Sequence, residues 1–175
     1  MYKLYGTLNI PACKSTSHRQ LILASMSIGK SEITNLLEAD DIKATIKILK
    51  QLGIRIYKES DKWIVCGNGT NGYLQPRKDL NALNSGTTAR TMIGAVSSNP
   101  INCRFIGDKS LSKRSMGRVT VLLEKLGARF KLTKNDYLPL KTFGTSKLVP
   151  EEITIEKPSA QIKTALIFAG LNISG

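Results

Sequence analysis

The sequence is poor in the residues from which disulfides, metal sites and histidine-based catalysis are built. Its three cysteines, Cys13, Cys66 and Cys103, are far apart, odd in number and outside any C-x-x-C pair. This spacing argues against a disulfide framework or a zinc site and indicates a reducing compartment such as the cytoplasm. The single histidine, His18, has no visible catalytic partner. A packing or hydrogen-bonding role suits it better than that of a general base.

Long apolar runs are also missing. No window approaches the roughly 18 apolar residues that a membrane-spanning helix needs. The opening MYKLYGTLNIP lacks a basic region followed by an apolar stretch. We therefore predict a cytoplasmic protein that is neither secreted nor embedded in a membrane. Its 175 residues, 41% hydrophobic and 22% charged, are typical of one globular domain.

Acidic residues are scarce, since 13 Asp and Glu face 26 Lys and Arg and leave a formal charge of +13. Such an excess predicts anionic partners, either nucleic acid or small phosphorylated metabolites. Aromatic residues make up only 6% of the chain, and no RNA- or DNA-binding signature is present. Nucleic acid is therefore the weaker of the two alternatives.

The chain contains an internal repeat. Residues 48–65, ILKQLGIRIYKESDKWIV, align without a gap on residues 122–139, LLEKLGARFKLTKNDYLP, so that Trp63 falls on Tyr137. Each copy predicts a helix closed by glycine, followed by two strands joined by a polar turn. Short strands are predicted upstream of these copies, at 31–37 and 101–107.

Three further segments share one pattern, in which Ser or Thr precedes a cation and then an apolar helix: KSTSHRQLILASMSI, NSGTTARTMIGAVSS and PSAQIKTALIFAGL, with Arg19, Arg90 and Lys163 as the cations. The hydroxyl residues are natural N-caps, because their oxygens accept hydrogen bonds from the first turn. Asp40 and Asp41 are interpreted in the same way, as cap and dipole partners of the helix that follows them.

The predicted fold class is α/β with mixed sheets, built from βαβαββ units of about 70 residues. Unit one spans about 8–80, unit two about 81–150, and unit three begins at about 151 and stops by 175. The helix predicted at 159–171 is strongly apolar and calls for neighbours, although little chain follows it.

Helix starts of this kind bind anions, because free N–H groups and about half a positive charge are present there. Lys14, Ser15 and Arg19 begin the first helix, and NSGTTAR adds Asn84 and Gly86. A basic loop before the second helix of unit two contributes Lys113, Arg114 and Arg118. Each motif alone is common as a helix cap, but recurrence at equivalent points of a repeat favours binding. Cys13 beside Lys14 is interpreted as an incidental small residue.

Five ordered motifs closely resemble the 5-enolpyruvylshikimate-3-phosphate synthase family, also called 3-phosphoshikimate 1-carboxyvinyltransferase. The resemblance spans essentially the whole chain and about the first two fifths of a typical member. The motifs are P-x-x-K-S-x-S-H-R (11–19), NLLEADDIKAT (35–45), NSGTTAR (84–90), GDKSLSKRSMGRV (107–119) and PSAQIKTALIFAGLN (158–172).

The resemblance implies a fold of two lobes, each with three βαβαββ units whose helix N-termini point into a cleft. It also implies transfer of the enolpyruvyl group of phosphoenolpyruvate to the 5-hydroxyl of shikimate-3-phosphate, with release of phosphate. No metal or organic cofactor is implied. Because only part of the first lobe matches, we expect the second lobe to be absent and the chain alone to be inactive or to need a separately encoded C-terminal lobe.

Site residues follow from the resemblance by motif position. Those implied to bind shikimate-3-phosphate are Lys14, Ser15, Arg19, Ser159, Ala160 and Gln161. Those implied to bind phosphoenolpyruvate are Lys14, Gly86, Arg114 and Gln161. The acid and base carboxylates of the family belong to the second lobe, so no catalytic residue is assigned.

The chain departs from the family pattern at four positions. Ala12 and Cys13 replace a Gly-Asp pair, Leu83 replaces a glycine, and Ser115 replaces a proline. If Ala12 or Leu83 has a positive φ, the backbone there is strained by about 1–2 kcal/mol.

Two alternative functions stay open. One is enolpyruvyl transfer to a UDP-amino sugar, against which the K-S-x-S-H-R and P-S-A-Q motifs argue. The other is a non-catalytic remnant that binds anions or nucleic acid, which only the charge supports.

Overall fold

The structure, a computed structural model, describes residues 5–6 and 10–174. Five α-helices, seven strands and one short 3-10 helix occur in this part of the chain. Their order is α1 (Lys14–Met26), β1 (Ile28–Ile33), α2 (Asp40–Gln51), β2 (Arg55–Glu59), β3 (Lys62–Asn68), β4 (Leu80–Asn81), α3 (Gly86–Ser97), β5 (Asn102–Ile106), the 3-10 helix (Leu111–Lys113), α4 (Gly117–Lys125), β6 (Arg129–Lys131), β7 (Leu140–Phe143) and α5 (Ala160–Gly170).

The strands form two sheets, and the predicted α/β class with mixed pairing is found. The first sheet has the order β1-β3-β2 and is antiparallel throughout. The second has the order β4-β5-β7-β6, in which β4 and β5 run parallel and the other pairs antiparallel. The β4-to-β5 connection passes through α3, which is the crossover that parallel strands require.

The two sheets repeat one topology. In each, the strand after the first helix pairs with the last strand of a hairpin, as β1 does with β3 and β5 with β7. Gly53 and Gly127 follow α2 and α4 with φ of +87° and +92°, where glycine ends a helix without strain. The strand predicted at the start of unit one falls largely outside the described residues.

The gapless alignment of the two hairpins is wrong in its second half. Tyr57 pairs with Ile64 in the first sheet, whereas its counterpart Lys131 pairs with Lys141 and not with Leu138. The second hairpin is therefore three residues longer at its turn, so the match of Trp63 with Tyr137 does not hold. The strand predicted at 31–37 lies earlier, at Ile28–Ile33, because Asn35 adopts a φ of 52° and turns the chain.

Hydroxyl caps were predicted correctly for two helices of three. Ser85 Oγ accepts from the Thr88 N–H at 3.1 Å, and Ser159 Oγ accepts from the Ile162 N–H at 3.4 Å. At α1 the prediction is wrong, because the N-cap is Cys13, which makes no side-chain cap bond.

The cap prediction for the second helix is wrong as well. The N-cap of α2 is Ala39, and Asp40 and Asp41 lie in the first turn. Their charges are still well placed there, because the end of a helix where N–H groups are free favours carboxylates.

One apolar core lies between the helices and the sheets, and α5 contributes to it through Ile162, Ala165, Phe168 and Ala169. Its opposite side remains open: Ile167 and Leu171 are 49% and 47% exposed. A groove beside them is lined by Leu126, Pro150, Ile153, Ile155, Leu166 and Ile173. The helix therefore finds its neighbours, α3 and α4, in unit two, and a second apolar side is left uncovered. In the described part of the chain, no helix combines the length and apolar character needed to cross a bilayer.

A chain of buried polar side chains joins the first three helices. His18 Nδ1 lies 2.8 Å from Thr45 Oγ1, which lies 2.9 Å from Thr88 Oγ1. Thr88 Oγ1 in turn contacts Ser85 Oγ at 2.8 Å and the Asp41 carbonyl at 3.1 Å. His18 is fully buried, and this burial lowers the pKa of its imidazole to about 4. It packs and hydrogen-bonds as a neutral residue, as the sequence predicted.

We expect His18 to make folding pH-dependent. Because its folded pKa is below the unfolded value of 6.5, its contribution is complete above pH 6.5 and is lost as the pH falls towards 4. The free energy of unfolding should decrease by about 2 kcal/mol between pH 7.5 and pH 5. Urea unfolding at several pH values measures this, and His18→Gln should flatten the profile because His18 is the single histidine. An equally steep profile in that variant would contradict the prediction.

We also expect strain at Leu83, which has a φ of 52°. The free energy of unfolding of the Leu83→Gly variant should exceed that of the Leu83→Ala variant by about 1 kcal/mol, because alanine is strained in the left-handed backbone conformation and glycine is not. Urea unfolding of the two variants gives the difference directly, and equal stabilities would show that the backbone is unstrained. Ala12 is not among the described residues with positive φ, so no such strain arises there.

Candidate functional site

The predicted site residues lie at the N-termini of α1, α3 and α5 and in the loop before α4. The structure groups them into two clusters. The lysine cluster consists of Lys14, Asp41 and Arg19. The arginine cluster consists of Arg90, Arg114 and Arg118, together with Gly86 and Gln161.

Lys14 is the first residue of α1, and its ammonium pairs with the Asp41 carboxylate on α2. The lysine side chain is 53% exposed and the aspartate side chain 24%. Ser15 is exposed and Arg19, one helical turn further along, is half-buried. Neither makes a side-chain hydrogen bond or ion pair with another described residue, so both remain available to a ligand.

Gly86 begins α3 and provides space for two guanidinium groups. A Cβ placed there would come within 2.7 Å of Arg90 Nη1 and 3.6 Å of Arg114 Nη1. Any side chain would therefore displace Arg90. The glycine avoids this displacement, and an anion that reached the start of α3 would meet both arginines.

Arg90 connects three segments. Its Nη1 donates to Gln161 Oε1 at 2.8 Å, and its Nη2 donates to the Ser115 carbonyl at 3.1 Å. Gln161 Nε2 donates to Thr87 Oγ1 at 2.9 Å, which returns the connection to α3. Burial, and then the charges of Arg114 and Arg118, lower the pKa of Arg90, since both disfavour a further positive charge.

Arg114 is exposed and is oriented by polar neighbours. Its Nη2 donates to Asn84 Oδ1 at 3.1 Å and to Ser110 Oγ at 3.3 Å. Asn84 Nδ2 donates in turn to Asp108 Oδ2 at 2.6 Å. The backbone N–H of Leu111 and the Asn84 amide lower the pKa of the Asp108 carboxyl, so it stays ionised and holds Asn84 in place.

Three of the predicted site residues, Ser159, Ala160 and Gln161, lie at the start of α5. Gln161 lies inside the arginine cluster, as described above. The Ser159 hydroxyl is occupied as a helix cap, and Ala160 is exposed and has only its backbone to offer. Arg118 donates to the Lys157 carbonyl at 2.9 Å and so attaches the segment before α5 to α4.

The two clusters are connected through α3. Thr88, on the first turn of α3, bonds to the Asp41 carbonyl, and Asp41 pairs with Lys14. The structure shows no direct contact between Lys14 and Arg90, Arg114 or Gln161. Together the clusters place five cations on neighbouring helix starts, an arrangement that can bind polyanions.

Sequence reasoning did not assign a site role to Arg90 or Asp41. The signal for Arg90 was its place in the repeated pattern, where it matches Arg19, but nothing in the sequence shows that it reaches Gln161. Asp41 was interpreted only as a cap and dipole partner of the helix that follows it. Its pairing with Lys14 depends on how α1 and α2 pack, which no local pattern specifies.

Cys13 precedes Lys14 and is exposed. Its thiol pKa is lowered, chiefly by a hydrogen bond from the Thr16 side chain. In the described residues no group of three His, Cys, Asp or Glu side chains could hold a metal ion. The arrangement therefore offers binding groups for anions, while both of its carboxylates, Asp41 and Asp108, are already engaged.

We expect Arg90→Lys to lower the free energy of unfolding by about 1 kcal/mol, because an ammonium cannot bond to both Gln161 and Ser115 as the guanidinium fork does. The matched control is Arg118→Lys, which loses one bond at an exposed residue and should stay within about 0.5 kcal/mol of the wild type. Urea unfolding compares the two. Equal effects would show that the double contact of Arg90 adds nothing.

Comparison with known proteins gives one consistent answer. The family model described as EPSP synthase (3-phosphoshikimate 1-carboxyvinyltransferase) matches residues 1–175. Among curated relatives, the 3-phosphoshikimate 1-carboxyvinyltransferase of Caldicellulosiruptor bescii is 44% identical over 174 residues, 99% of this chain and 40% of the relative. That of Novosphingobium aromaticivorans is 41% identical over 173 residues, 98% of this chain and 39% of the relative.

Solved structures agree. The EPSP synthase from Acinetobacter baumannii superposes with a TM-score of 0.92 at 30% identity, over 97% of this chain and 39% of that one. The chain thus spans about two fifths of the length of the relatives that it matches. Through sequence, fold and the motifs at its helix starts, the chain belongs to the EPSP synthase family.

Proposed function

We propose that this chain contributes groups that bind both shikimate-3-phosphate and phosphoenolpyruvate to an enolpyruvyl transfer site. The observation that carries the proposal is the convergence of Arg90, Arg114 and Gln161 near Gly86, the start of α3, where a Cβ would come within 2.7 Å of Arg90 Nη1. Both substrates of the reaction are phosphorylated carboxylates, so the site needs several cations and free N–H groups close together. The charge of +13 supports the same conclusion.

The residues divide between the substrates as follows. Lys14, Ser15 and Arg19 hold shikimate-3-phosphate together with Ser159, Ala160 and Gln161. Phosphoenolpyruvate lies against Gly86 and Arg114, with Lys14 and Gln161 touching both ligands. Arg114 is suited to a phosphate or carboxylate because its fork can donate two parallel hydrogen bonds.

In the complete site, the 5-hydroxyl of shikimate-3-phosphate gives its proton to a base as its oxygen attacks C2 of phosphoenolpyruvate, and C3 gains a proton from an acid as the C2–C3 double bond is lost. The resulting tetrahedral intermediate loses phosphate and a proton at C3, which regenerates the enol double bond. These proton transfers need carboxylates that the two clusters do not supply, since Asp41 is paired and Asp108 is hydrogen-bonded. We infer that they come from a second lobe, which lies within the remaining three fifths of the relatives' length.

The repeat predicts units at about 8–80, 81–150 and from 151 onward. We propose that the second lobe connects to the third of them. The groove beside α5, with Ile167 and Leu171 exposed, is where further residues of the third unit would pack. We further propose that the protein acts in the cytoplasm, where its small phosphorylated substrates are made.

Calorimetric titration of the 175-residue chain with shikimate-3-phosphate tests the proposal, with shikimate and inorganic phosphate as matched partial ligands. We expect shikimate-3-phosphate to bind at least tenfold more tightly than either, because two separate groups of donors share it. Arg19→Gln should weaken binding, whereas Arg129→Gln, on the distant strand β6, should not. Equal affinities for the three ligands would contradict a specific site.

A phosphate-release assay on the same sample after adding phosphoenolpyruvate tests the need for a second lobe. We expect binding without turnover, and turnover by these residues alone would show that no further carboxylates are needed. Titration with a UDP-amino sugar and with a single-stranded oligonucleotide examines the two alternative functions. Tighter binding of either than of shikimate-3-phosphate would replace the proposal.

A further inference from the structure

We propose that Asp41 is a positioning residue that holds the Lys14 ammonium in place for an incoming phosphate and ties its position to the start of α3. The inference rests on the proposed function, because it assumes that Lys14 contacts the substrate. It concerns a carboxylate that binds no ligand itself and acts through the lysine.

The two partners of the ion pair differ in side-chain length and in exposure. Asp41 is a short side chain in the first turn of α2, and only 24% of it is exposed. Lys14 has a four-carbon stem and is 53% exposed at the start of α1. Without a partner such a stem samples many rotamers, so the carboxylate selects the ones in which the ammonium lies between α1 and α2.

The backbone of Asp41 is itself anchored to α3. Its carbonyl accepts from Thr88 Oγ1 at 3.1 Å, and Thr88 Oγ1 also lies 2.8 Å from Ser85 Oγ. Ser85 caps α3 and directly precedes Gly86. Asp41 and Thr88 therefore connect Lys14 to the start of α3, where the arginine cluster lies.

A negative charge beside an anion site also repels the ligand, and this repulsion opposes the gain in affinity from positioning Lys14. The N-terminus of α2 carries about half a positive charge, which offsets roughly half of the Asp41 charge. Immobilising a flexible lysine on binding carries an entropic cost. Because Asp41 already restricts the Lys14 side chain before the ligand binds, part of this cost is avoided, and the charge at the start of α2 does not reduce that gain. We therefore expect positioning to outweigh repulsion.

The affinity test is a double-mutant cycle with shikimate-3-phosphate. Asp41→Asn keeps the size of the side chain and the backbone carbonyl, so the Thr88 bond remains. We expect it to weaken binding about fivefold in the wild-type background and to have no effect in a Lys14→Met background. A purely structural role would weaken binding equally in both backgrounds, and stronger binding by Asp41→Asn would show that repulsion dominates; either result overturns the proposal.

Asp40→Asn is the matched control. It removes the same charge from the same helical turn, but Asp40 pairs with Lys43 at 3.3 Å and not with Lys14. We expect it to leave the affinity for shikimate-3-phosphate unchanged. A fivefold loss in this variant too would assign the effect to the net charge of α2 and overturn the specific role of Asp41.

A second measurement works without ligand and separates this inference from the proposed function. Brief acetylation with acetic anhydride, followed by mass spectrometry, reports how freely the Lys14 amine reacts. Asp41→Asn should raise labelling of Lys14 about threefold relative to Lys125, and Asp40→Asn should not, because among the described carboxylates it is Asp41 that pairs with the Lys14 amine. Unchanged labelling would refute the ion pair, even in a chain that binds substrate. A folded wild-type chain that binds no shikimate-3-phosphate would instead contradict the proposed function, and with it any effect of Asp41 on binding.

Discussion

The bridge made by the Arg90 guanidinium is the contact on which the arrangement of the candidate site depends. Through Gln161 and Ser115 it fixes the starts of α5 and α4 relative to α3. These segments are far apart in sequence, and no other side chain described at this end of the fold bonds to both of them. Gly86 leaves room for the bridge, because a Cβ there would come within 2.7 Å of Arg90 Nη1 and the guanidinium would have to shift. The glycine, the arginine and the glutamine thus form one constraint, and the family motifs that contain them are linked physically.

Crowding cations at one end of a fold is costly, and the structure shows how the cost is met. Burial, and then the neighbouring charges of Arg114 and Arg118, lower the pKa of Arg90. Asp108 does not pair with Arg114 directly but holds Asn84, whose amide oxygen faces the guanidinium. An amide orients Arg114 without neutralising it, which leaves its charge available to a ligand.

The sequence predicted the elements well and their long-range contacts poorly. The helix predicted at 159–171 is found at Ala160–Gly170, and glycine follows α2 and α4 as predicted, because these signals act within one turn of the chain. Arg118, predicted in the loop before the second helix of unit two, lies inside α4. The longer hairpin of unit two was not predicted, because the residues at the turn do not specify strand register. The pairing of Lys131 with Lys141 is set by contacts between the strands. The cap of α1 was missed for a similar reason: Ser17 Oγ donates to the Cys13 carbonyl and accepts from the Leu37 N–H, a contact across the fold.

The same division holds within the candidate site. Resemblance to the family predicts that Lys14, Gly86, Arg114 and Gln161 bind the substrates, but the contacts of Arg90 and Asp41 arise only when three helices pack together. Ion pairs and hydrogen bonds between residues 25 to 74 positions apart leave no periodic pattern in a sequence. Side chains that support a site are therefore harder to predict than the ones that are expected to touch its ligand.

The departures from the family pattern differ in physical consequence. Leu83 replaces a glycine at a φ of 52°, yet its carbonyl still accepts from the Asp108 N–H at 2.9 Å, so the loop keeps its shape at a cost of about 1–2 kcal/mol. Ser115 replaces a proline, but Arg90 uses only its carbonyl, which proline also has. A side chain at Gly86 would act differently, because the Arg90 guanidinium that makes the bridge would have to shift. The strain at Leu83 is confined to one residue and Ser115 contributes only its carbonyl to Arg90, so neither departure from the family pattern removes a contact of the arginine cluster.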